Sequence, residues 1–285
     1  MKGVEMGRFF LTAVSVFCGL ALAGGALAAP SEITVDLRLD HVDYVSGERI
    51  RAVVDIVNMA PEVISAGYPG SKDLVFVEVV RASDNHQLER VSDTPFVAEF
   101  LLKANEGQKL ETFLGDHYAL RTTSHYLAKP VLVHGGTRYE GQPRAFDVVP
   151  GMRVTGAVQL FSNHNGLSRE FELVYWNRLG TDHLFLTAHD TGTGDRKWNT
   201  TDLGALMKVS KPTLSVMPTG EIVVIHRLDP DNFVRSVFWS VPEGIEFFRR
   251  ELLQDPETAG SARVREMYRE SGGVKPVDRP WWKFW

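Results

Sequence analysis

The segment from Asp190 to Asp195 has the residue types of two different chemistries. Asp190-Thr191-Gly192 matches the Asp-Thr-Gly tripeptide of aspartic proteases, which need two such carboxylates sharing one proton. The sequence contains no second copy, and His189 stands where an apolar side chain would bury the loop. Asp190 and Asp195 are also weak candidates for Ca²⁺ ligands, although calcium takes six or more oxygens. A polar hairpin turn rich in Gly and Thr explains the segment more simply.

Nine histidines raise the question of a metal site or a catalytic triad. None of them pairs at the spacing of helical zinc ligands such as H-E-x-x-H. The sequence has no Gly-x-Ser-x-Gly nucleophile elbow either. A secreted hydrolase acting on glycans or peptides stays open as an alternative, because acidic and histidine residues collect in the second half of the chain. The residues that define this alternative are Asp182, His183, His189, Asp190 and Asp195.

Aromatic side chains beside polar groups indicate a binding surface for a protein or a glycan. Tyr175, Trp176 and Arg178 lie close together in the sequence, and Trp198 and Trp239 follow later. Exposed tryptophan and tyrosine stack on sugar rings or anchor protein interfaces. The alternative is that these rings fill a small second core.

The C-terminal tail holds Trp281, Trp282 and Trp285 within five residues, together with Lys283. Leaving such a cluster in water is costly, so three outcomes are open. The tail folds back onto its own chain, docks on a partner, or inserts at a membrane interface. Folding back is the favoured outcome, and the tail is the one segment through which we expect any membrane association.

The first 28 residues have the pattern of a signal peptide. Lys2 and Arg8 precede the apolar run from Phe9 to Leu22, and Ala26-Leu27-Ala28 supplies a cleavage site. We therefore predict cleavage after Ala28 and export to the periplasm or the extracellular space. The only cysteine, Cys18, lies inside this segment, so the mature chain would have no disulfide.

The charge balance argues against nucleic acid as a partner. Residues 1–28 hold two basic residues and one acidic residue, so their removal changes the formal net charge from −5 to −6. Binding to phosphates requires clustered Lys and Arg, which this composition does not favour. Gly135-Gly136 and Gly192-x-Gly194 fit hairpin turns rather than phosphate loops, since neither leads into a helix. We expect no cofactor.

Short apolar runs at a spacing of two predict a β-sandwich between residues 33 and 150. Leu74 to Val80 is nearly continuous and predicts a central strand buried on both faces. Phe96 to Leu102 predicts a further strand, and Gly135-Gly136 predicts a hairpin. The residues expected to face inward are Ile33, Val35, Leu37, Val54, Ile56, Val75, Val77 and Val79.

Pro150-Gly151 predicts a domain boundary, because a turn dipeptide follows the last predicted strand. We assign residues 1–28 to the signal peptide, 29–150 to the first domain and 151–255 to a smaller β-rich domain. Residues 256–285 form a helical or flexible tail in this prediction. Two short helices are expected near the end: one starts at Pro242-Glu243-Gly244, with Ile245, Phe248 and Leu252 on one face, and the other is Ala262 to Glu270.

The stretch Tyr44-x-x-Gly47-Glu48-x-Ile50-x-x-x-Val54-x-Ile56-x-Asn58 resembles the opening hairpin of immunoglobulin-like modules in exported bacterial proteins. Tyr126-x-Ala128 to Phe146-x-Val148 is similar to their last two strands. The resemblance covers residues 33 to 150 and implies a sandwich that binds or spaces other domains. Fold analogy alone does not establish function.

These observations favour an exported, non-enzymatic module that binds a protein or glycan partner. The motivation is a paired β architecture without an assembled catalytic signature. A further alternative is an inhibitor or assembly factor that adds a partner strand to a free sheet edge.

Overall fold

The computed structural model describes residues 32–68, 70–160, 168–191, 198–242 and 244–254. The predicted signal peptide, the predicted helix Ala262 to Glu270 and the three tail tryptophans all lie outside these residues. No helix within the described ranges has the length and apolarity needed to cross a membrane.

The described chain is mainly β. It forms nineteen strands, and a short 3-10 turn at Leu114–Asp116 precedes the ninth. The N-terminal region, residues 32–149, contains β1 (Ile33–Leu39), β2 (Asp43–Val45), β3 (Arg51–Asn58), β4 (Ile64–Ala66), β5 (Leu74–Arg81), β6 (His86–Gln87), β7 (Phe100–Leu102), β8 (Glu106–Phe113), β9 (Ser124–His134), β10 (Thr137–Glu140) and β11 (Arg144–Val149). The C-terminal region, residues 151–254, contains β12 (Met152–Leu160), β13 (Ser168–Arg178), β14 (Thr181–Thr191), β15 (Trp198–Ala205), β16 (Thr213–Val216), β17 (Glu221–Arg227), β18 (Asn232–Val241) and β19 (Gly244–Gln254).

The strands of the N-terminal region form two main sheets that share one core. One sheet has the order β1-β3-β8, the other has the order β2-β11-β9-β5-β6 with β10 on β9, and β4 pairs with β7 beside them. β1, β3 and β5 contribute every second side chain to the core, as expected for a sheet with one buried face, whereas β6 and β10 have no buried residue. All eight residues predicted to face inward are buried, which confirms the alternation over β1, β3 and β5.

Two details of the N-terminal region differ from the sequence predictions, and a third is confirmed. Leu74 to Val80 is not buried on both faces, because Leu74 is 54% exposed and Glu78 on the outer face meets Arg138 and Lys129. The strand predicted from Phe96 shortens to β7, with Phe96 buried in the preceding loop. The hairpin at Gly135-Gly136 is confirmed, and φ values of 57° and 81° explain why glycine occupies both positions.

The C-terminal region consists of two antiparallel sheets whose strands follow chain order. Their orders are β12-β13-β14-β15 and β16-β17-β18-β19. Phe171 and Leu184 of the first sheet share a core with Ile222 and Phe238 of the second. Pro150-Gly151 connects β11, which ends at Val149, to β12, which begins at Met152, and the domain boundary at this turn stays a prediction.

The helix predicted from Pro242 is wrong. Residues 244–254 form β19, which pairs with β18 along its whole length from Val241↔Gly244 to Asn232↔Gln254. Ile245, Phe248 and Leu252 have helical spacing, but aromatic and β-branched residues also suit a strand. Pairing with β18 satisfies the backbone groups on one side of this segment, and this tertiary contact overrides the local pattern.

Candidate binding surface

The C-terminal sheet ends in a long edge strand. β19 has eleven residues, and β18 is its only partner among the described strands. Its other side therefore presents a row of backbone N–H and C=O groups that another strand can pair with. Such an edge is a template for strand addition.

Large apolar side chains flank this edge. Phe247 and Phe248 are each 57% exposed, Leu252 is 64% exposed, and Trp239 of the neighbouring strand is 36% exposed. Trp239 meets Phe248 edge-to-face with ring centroids 6.3 Å apart, and Phe247 meets the buried Phe238 in the same way at 5.6 Å. We call these four residues the β19 surface. Aromatic groups of this kind are enriched at the centres of protein interfaces.

A β-bulge in β19 determines the direction of its aromatic side chains. The register shifts between Val237 and Phe238, so that Val237 pairs with Arg249 whereas Phe238 pairs with Phe247. The extra residue on β19 is Phe248. A bulge of this kind changes the direction of a side chain from the one that the regular pleat would give it. As a result, Phe247 lies beside Phe238 and Phe248 lies beside Trp239.

Arg169 holds the turn that leads into β19. Its side chain is 3% exposed, and its guanidinium donates to the carbonyl oxygens of Val241 and Gly244 and to the Ser240 hydroxyl. The same guanidinium forms a bidentate pair with Asp190, with an Nε–Oδ1 distance of 2.6 Å. Both carboxylate oxygens of Asp190 therefore accept hydrogen bonds from Arg169. Asp195, the other weak calcium candidate, lies outside the described residues.

Trp176 and Arg178 lie between the two regions rather than on an open surface. Trp176 packs against a small cluster of Val45, Val174 and Phe185, and its indole N–H donates to Asp43. Tyr175 is half-buried against the core, with the Lys208 ammonium 3.8 Å from its ring centre. Tyr175, Trp176 and Arg178 thus make contacts within the described chain, and their role in binding stays a prediction.

Arg178 is the centre of a buried ionic cluster that joins the two regions. Its side chain is 4% exposed and makes a bidentate contact with Glu48, at 2.7 Å and 3.2 Å. Asp202 accepts from Arg178 at 3.3 Å and lies 2.9 Å from His183 Nδ1. Burial in the adjoining core raises the pKa of Tyr44 to about 12. We call Glu48, Arg178, Asp202 and His183 the Arg178 cluster.

The residues that defined the hydrolase alternative do not converge. Asp182 pairs with Lys208 at 2.9 Å and His183 belongs to the Arg178 cluster, at one end of β14. His189 pairs with Glu170 at 2.9 Å and Asp190 pairs with Arg169, at the other end. Seven residues of extended strand separate these ends by about 20 Å. Within the described ranges, no three His, Cys, Asp or Glu side chains form a group able to hold a metal ion.

Sequence reasoning identified Trp239 but missed Phe247 and the bulge at Phe248, because it assigned this segment to a helix. Alternation of apolar and polar residues would have indicated a strand here, but the extra residue at the bulge interrupts that alternation. Trp198 belongs to β15 by its backbone, which pairs with His189. The predicted binding residues Trp281, Trp282 and Trp285 lie outside the described chain.

No protein-family model and no curated protein matches this sequence. One similar solved structure is the alkylpurine DNA glycosylase AlkC of Pseudomonas fluorescens bound to DNA containing an abasic site analogue. The identity is 16% and the TM-score 0.29, over 41% of this chain and 30% of that chain. Another is the sporulation control protein Spo0M of Bacillus subtilis, with 11% identity and a TM-score of 0.30 over 84% of this chain and 97% of that chain. At these scores neither structure bears on function.

Proposed function

We propose that this protein is an exported, non-enzymatic binding module that engages a protein partner by strand addition at β19. The observation that carries the proposal is an edge strand of eleven residues flanked by Trp239, Phe247, Phe248 and Leu252. Main-chain hydrogen bonds to the edge would supply affinity, and the flanking side chains would select the partner strand.

The charges on β19 support a partner with a defined register. Arg249 and Arg250 lie next to Glu246 and Glu251 on the same strand. Opposite charges across strands favour one alignment and disfavour others. Glu251 accepts from Arg235 at 3.0 Å, which leaves Glu246 and Arg250 as the groups expected to face a partner.

A glycan is the second class of partner in this proposal. Trp239 would then stack on a sugar ring, as exposed tryptophan commonly does. The protein partner is favoured because Phe247 and Leu252 add apolar area with no polar groups for sugar hydroxyls. The hydrolase alternative receives no support from its described residues, since Asp182, His183, His189 and Asp190 are paired separately along β14.

The immunoglobulin-like identity of residues 33–150 and the export of the chain belong to the same proposal. Two sheets that share one core support the former. The charged start, apolar run and Ala-x-Ala site support the latter. Mass spectrometry of the protein from its native host should find an N-terminus at or next to Ala29. An intact Met1 in exported material would contradict this part.

The binding proposal is tested with two matched bait proteins. One carries Phe247→Thr with Leu252→Thr on β19, and the control carries Val158→Thr with Leu160→Thr on the edge strand β12. All four positions are exposed, so folding should persist. We expect a partner protein captured by the wild type and by the control to lose at least about thirtyfold in affinity for the β19 variant, since a hot-spot truncation costs about 2 kcal/mol.

Equal affinity of the purified partner for both baits would rule out β19 as the binding site. Binding to a glycan array that depends on Trp239 and leaves protein capture unchanged would replace the protein partner with a sugar. Hydrolysis of glycans or peptides by the wild type would restore the enzymatic alternative.

A further inference from the structure

The sheet β16-β17-β18-β19 is apolar on both faces. Ile222, Val224 and Phe238 face the core shared with β13 and β14. The opposite face carries a separate cluster of side chains that are at most 5% exposed: Val223, Ile225, Phe233, Val237 and Leu253. We call this cluster the outer face. Every one of its members comes from β17, β18 or β19, and no apolar side chain from another described element joins it.

Arg235 gives independent evidence that the outer face is covered. It pairs with Ile225 and Glu251 across the sheet and so lies in the middle of this face. An arginine on an open sheet face extends its charged end into water. Here the Arg235 side chain is only 9% exposed, and its guanidinium donates to Glu251 at 3.0 Å. A layer of protein over this face accounts for that burial.

The sequence that follows β19 is placed to supply this layer. Leu253, the last buried residue before position 255, belongs to the outer face. β19 ends at Gln254, so the residues that follow begin at the border of the outer face. Residues 255–285 follow, and they include Val264, Met267 and Tyr268 as well as the tail tryptophans.

The dimensions match. The seven residues of β17 span about 23 Å, and three strands are about 10 to 15 Å wide. Ala262 to Glu270 would measure about 14 Å as a helix with a diameter of about 10 Å. The tryptophans 281, 282 and 285 could cover what such a helix leaves open. Their ring surface, several hundred Å² by the usual area per aromatic side chain, suits an apolar sheet face.

We propose that residues 255–285 fold back on their own chain and cover the outer face of the β16–β19 sheet. The tail then belongs to the fold of the C-terminal region, and its tryptophans are not free to bind a partner or a membrane. This inference does not depend on the proposed function, because the β19 surface and the outer face can be altered separately.

Cysteine labelling tests the proposal, since Cys18 is the only native cysteine. In full chains that carry Cys18→Ser, Val223→Cys places a thiol on the outer face and Val224→Cys places one in the core on the opposite face. Each is combined with a tail variant in which Trp281, Trp282, Phe284 and Trp285 are changed to Ser. We expect labelling of Val223→Cys to rise by roughly tenfold or more in the tail variant, where tenfold corresponds to about 1.4 kcal/mol of protection. Labelling of the Val224→Cys control should not change.

Two other outcomes overturn the proposal, and a third requires a further experiment. Equal labelling of Val223→Cys with either tail excludes the tail as the cover. Protection that disappears on dilution assigns the cover to a second copy of the chain. If both cysteines become reactive, a synthetic peptide of residues 255–285 is added. Restored protection of Val223→Cys supports the proposal, and failure to restore it overturns it.

Discussion

The two regions of this protein differ in how many faces of their sheets are buried. In the N-terminal region each main sheet buries one face in a shared core and leaves the other face partly open, with polar side chains on β1 and with Leu74, Phe76, Glu78 and Val80 on β5. In the C-terminal region β17 is buried at five consecutive positions, from Ile222 to His226. A strand that is buried on both faces needs a layer on each side. The N-terminal region is therefore complete within its own strands, whereas the C-terminal region depends on a further segment.

Buried polar groups occur in both regions, but the buried arginines differ. The N-terminal region keeps the ionic network of Glu78, Lys129 and Arg138 on an outer face and buries His117. The C-terminal region encloses Arg169, Arg235 and the fully buried His226. Groups enclosed in this way lose hydration and depend on internal partners. Removal of an arginine should consequently affect the C-terminal region and the junction more strongly than the N-terminal region, whereas pH should affect both.

The largest expected effect comes from Arg178, where the two regions meet. Arg178→Met removes the cation and leaves Glu48 and Asp202 partly buried without their partner. Loss of one member of a buried ion pair costs about 3 to 5 kcal/mol. Urea unfolding of Arg178→Met should show this loss of stability. If the cluster couples the two regions, they should unfold in separate transitions in this variant.

A double variant provides the control for Arg178. Arg178→Met combined with Glu48→Gln should recover part of the lost stability, because the carboxylate with the bidentate contact is neutralised. A loss of less than about 1 kcal/mol in the single variant would show that the cluster contributes no more than a surface ion pair.

The second effect concerns His226 and appears as a dependence on pH. Burial and the nearby charge of Arg250 lower the pKa of His226 to about 4, against an ordinary value of 6.5. The unfolded chain therefore binds a proton between pH 6.5 and 4, while the folded chain does not. Stability should be full above pH 6.5 and fall by about 3 kcal/mol as the pH drops to 4.

His226→Leu should remove this contribution to the pH dependence, as measured by urea unfolding at pH 7 and pH 4.5. His86 is exposed on the short strand β6, so His86→Leu is the matched control and should leave the profile unchanged. Identical profiles for the wild type and His226→Leu would mean that the buried imidazole is protonated in the folded chain.

The sequence predicted the N-terminal region better than the C-terminal one, for a physical reason. Strict alternation identifies a strand with one solvent-exposed face, and it placed Val35 and Val54 correctly. It missed β8, in which the first four residues are all exposed and carry no alternation. It also misassigned β19, because spacing alone does not show that β18 is available to pair or that Arg169 holds the turn.

Some residues of the candidate sites could be predicted from the sequence, but their contacts could not. Trp239 and Arg178 stood out by residue type. The partner of Arg178, however, is Glu48, 130 residues earlier in the chain, and no local pattern indicates such a contact. The β19 surface required the sheet order, since exposure of Phe247 and Leu252 follows from their place at an edge. Local pattern therefore identified side chains, and only the fold identified their surroundings.

The smallest effect is expected at Glu78, on the outer face of the N-terminal region. Burial alone would raise the pKa of Glu78, but the hydrogen bonds and charges of Arg138 and Lys129 outweigh it and hold the pKa below the ordinary 4.5. Its contribution is therefore present above pH 4.5 and lost as the pH falls below that value. Because the Arg138 and Lys129 side chains are 39% and 30% exposed, solvent screens their pairing with Glu78, and Glu78→Gln should cost about 1 kcal/mol at pH 7.

The difference in stability between the wild type and Glu78→Gln should shrink as the pH falls below 4.5, whereas the His226 contribution is lost between pH 6.5 and pH 4. Urea unfolding along this pH range, with and without 1 M NaCl, measures both effects, since salt should weaken the exposed network more than the buried imidazole. A Glu78 effect that stays constant as the pH falls below 4.5, or that exceeds the Arg178 effect, would contradict this account of the outer face of the N-terminal region.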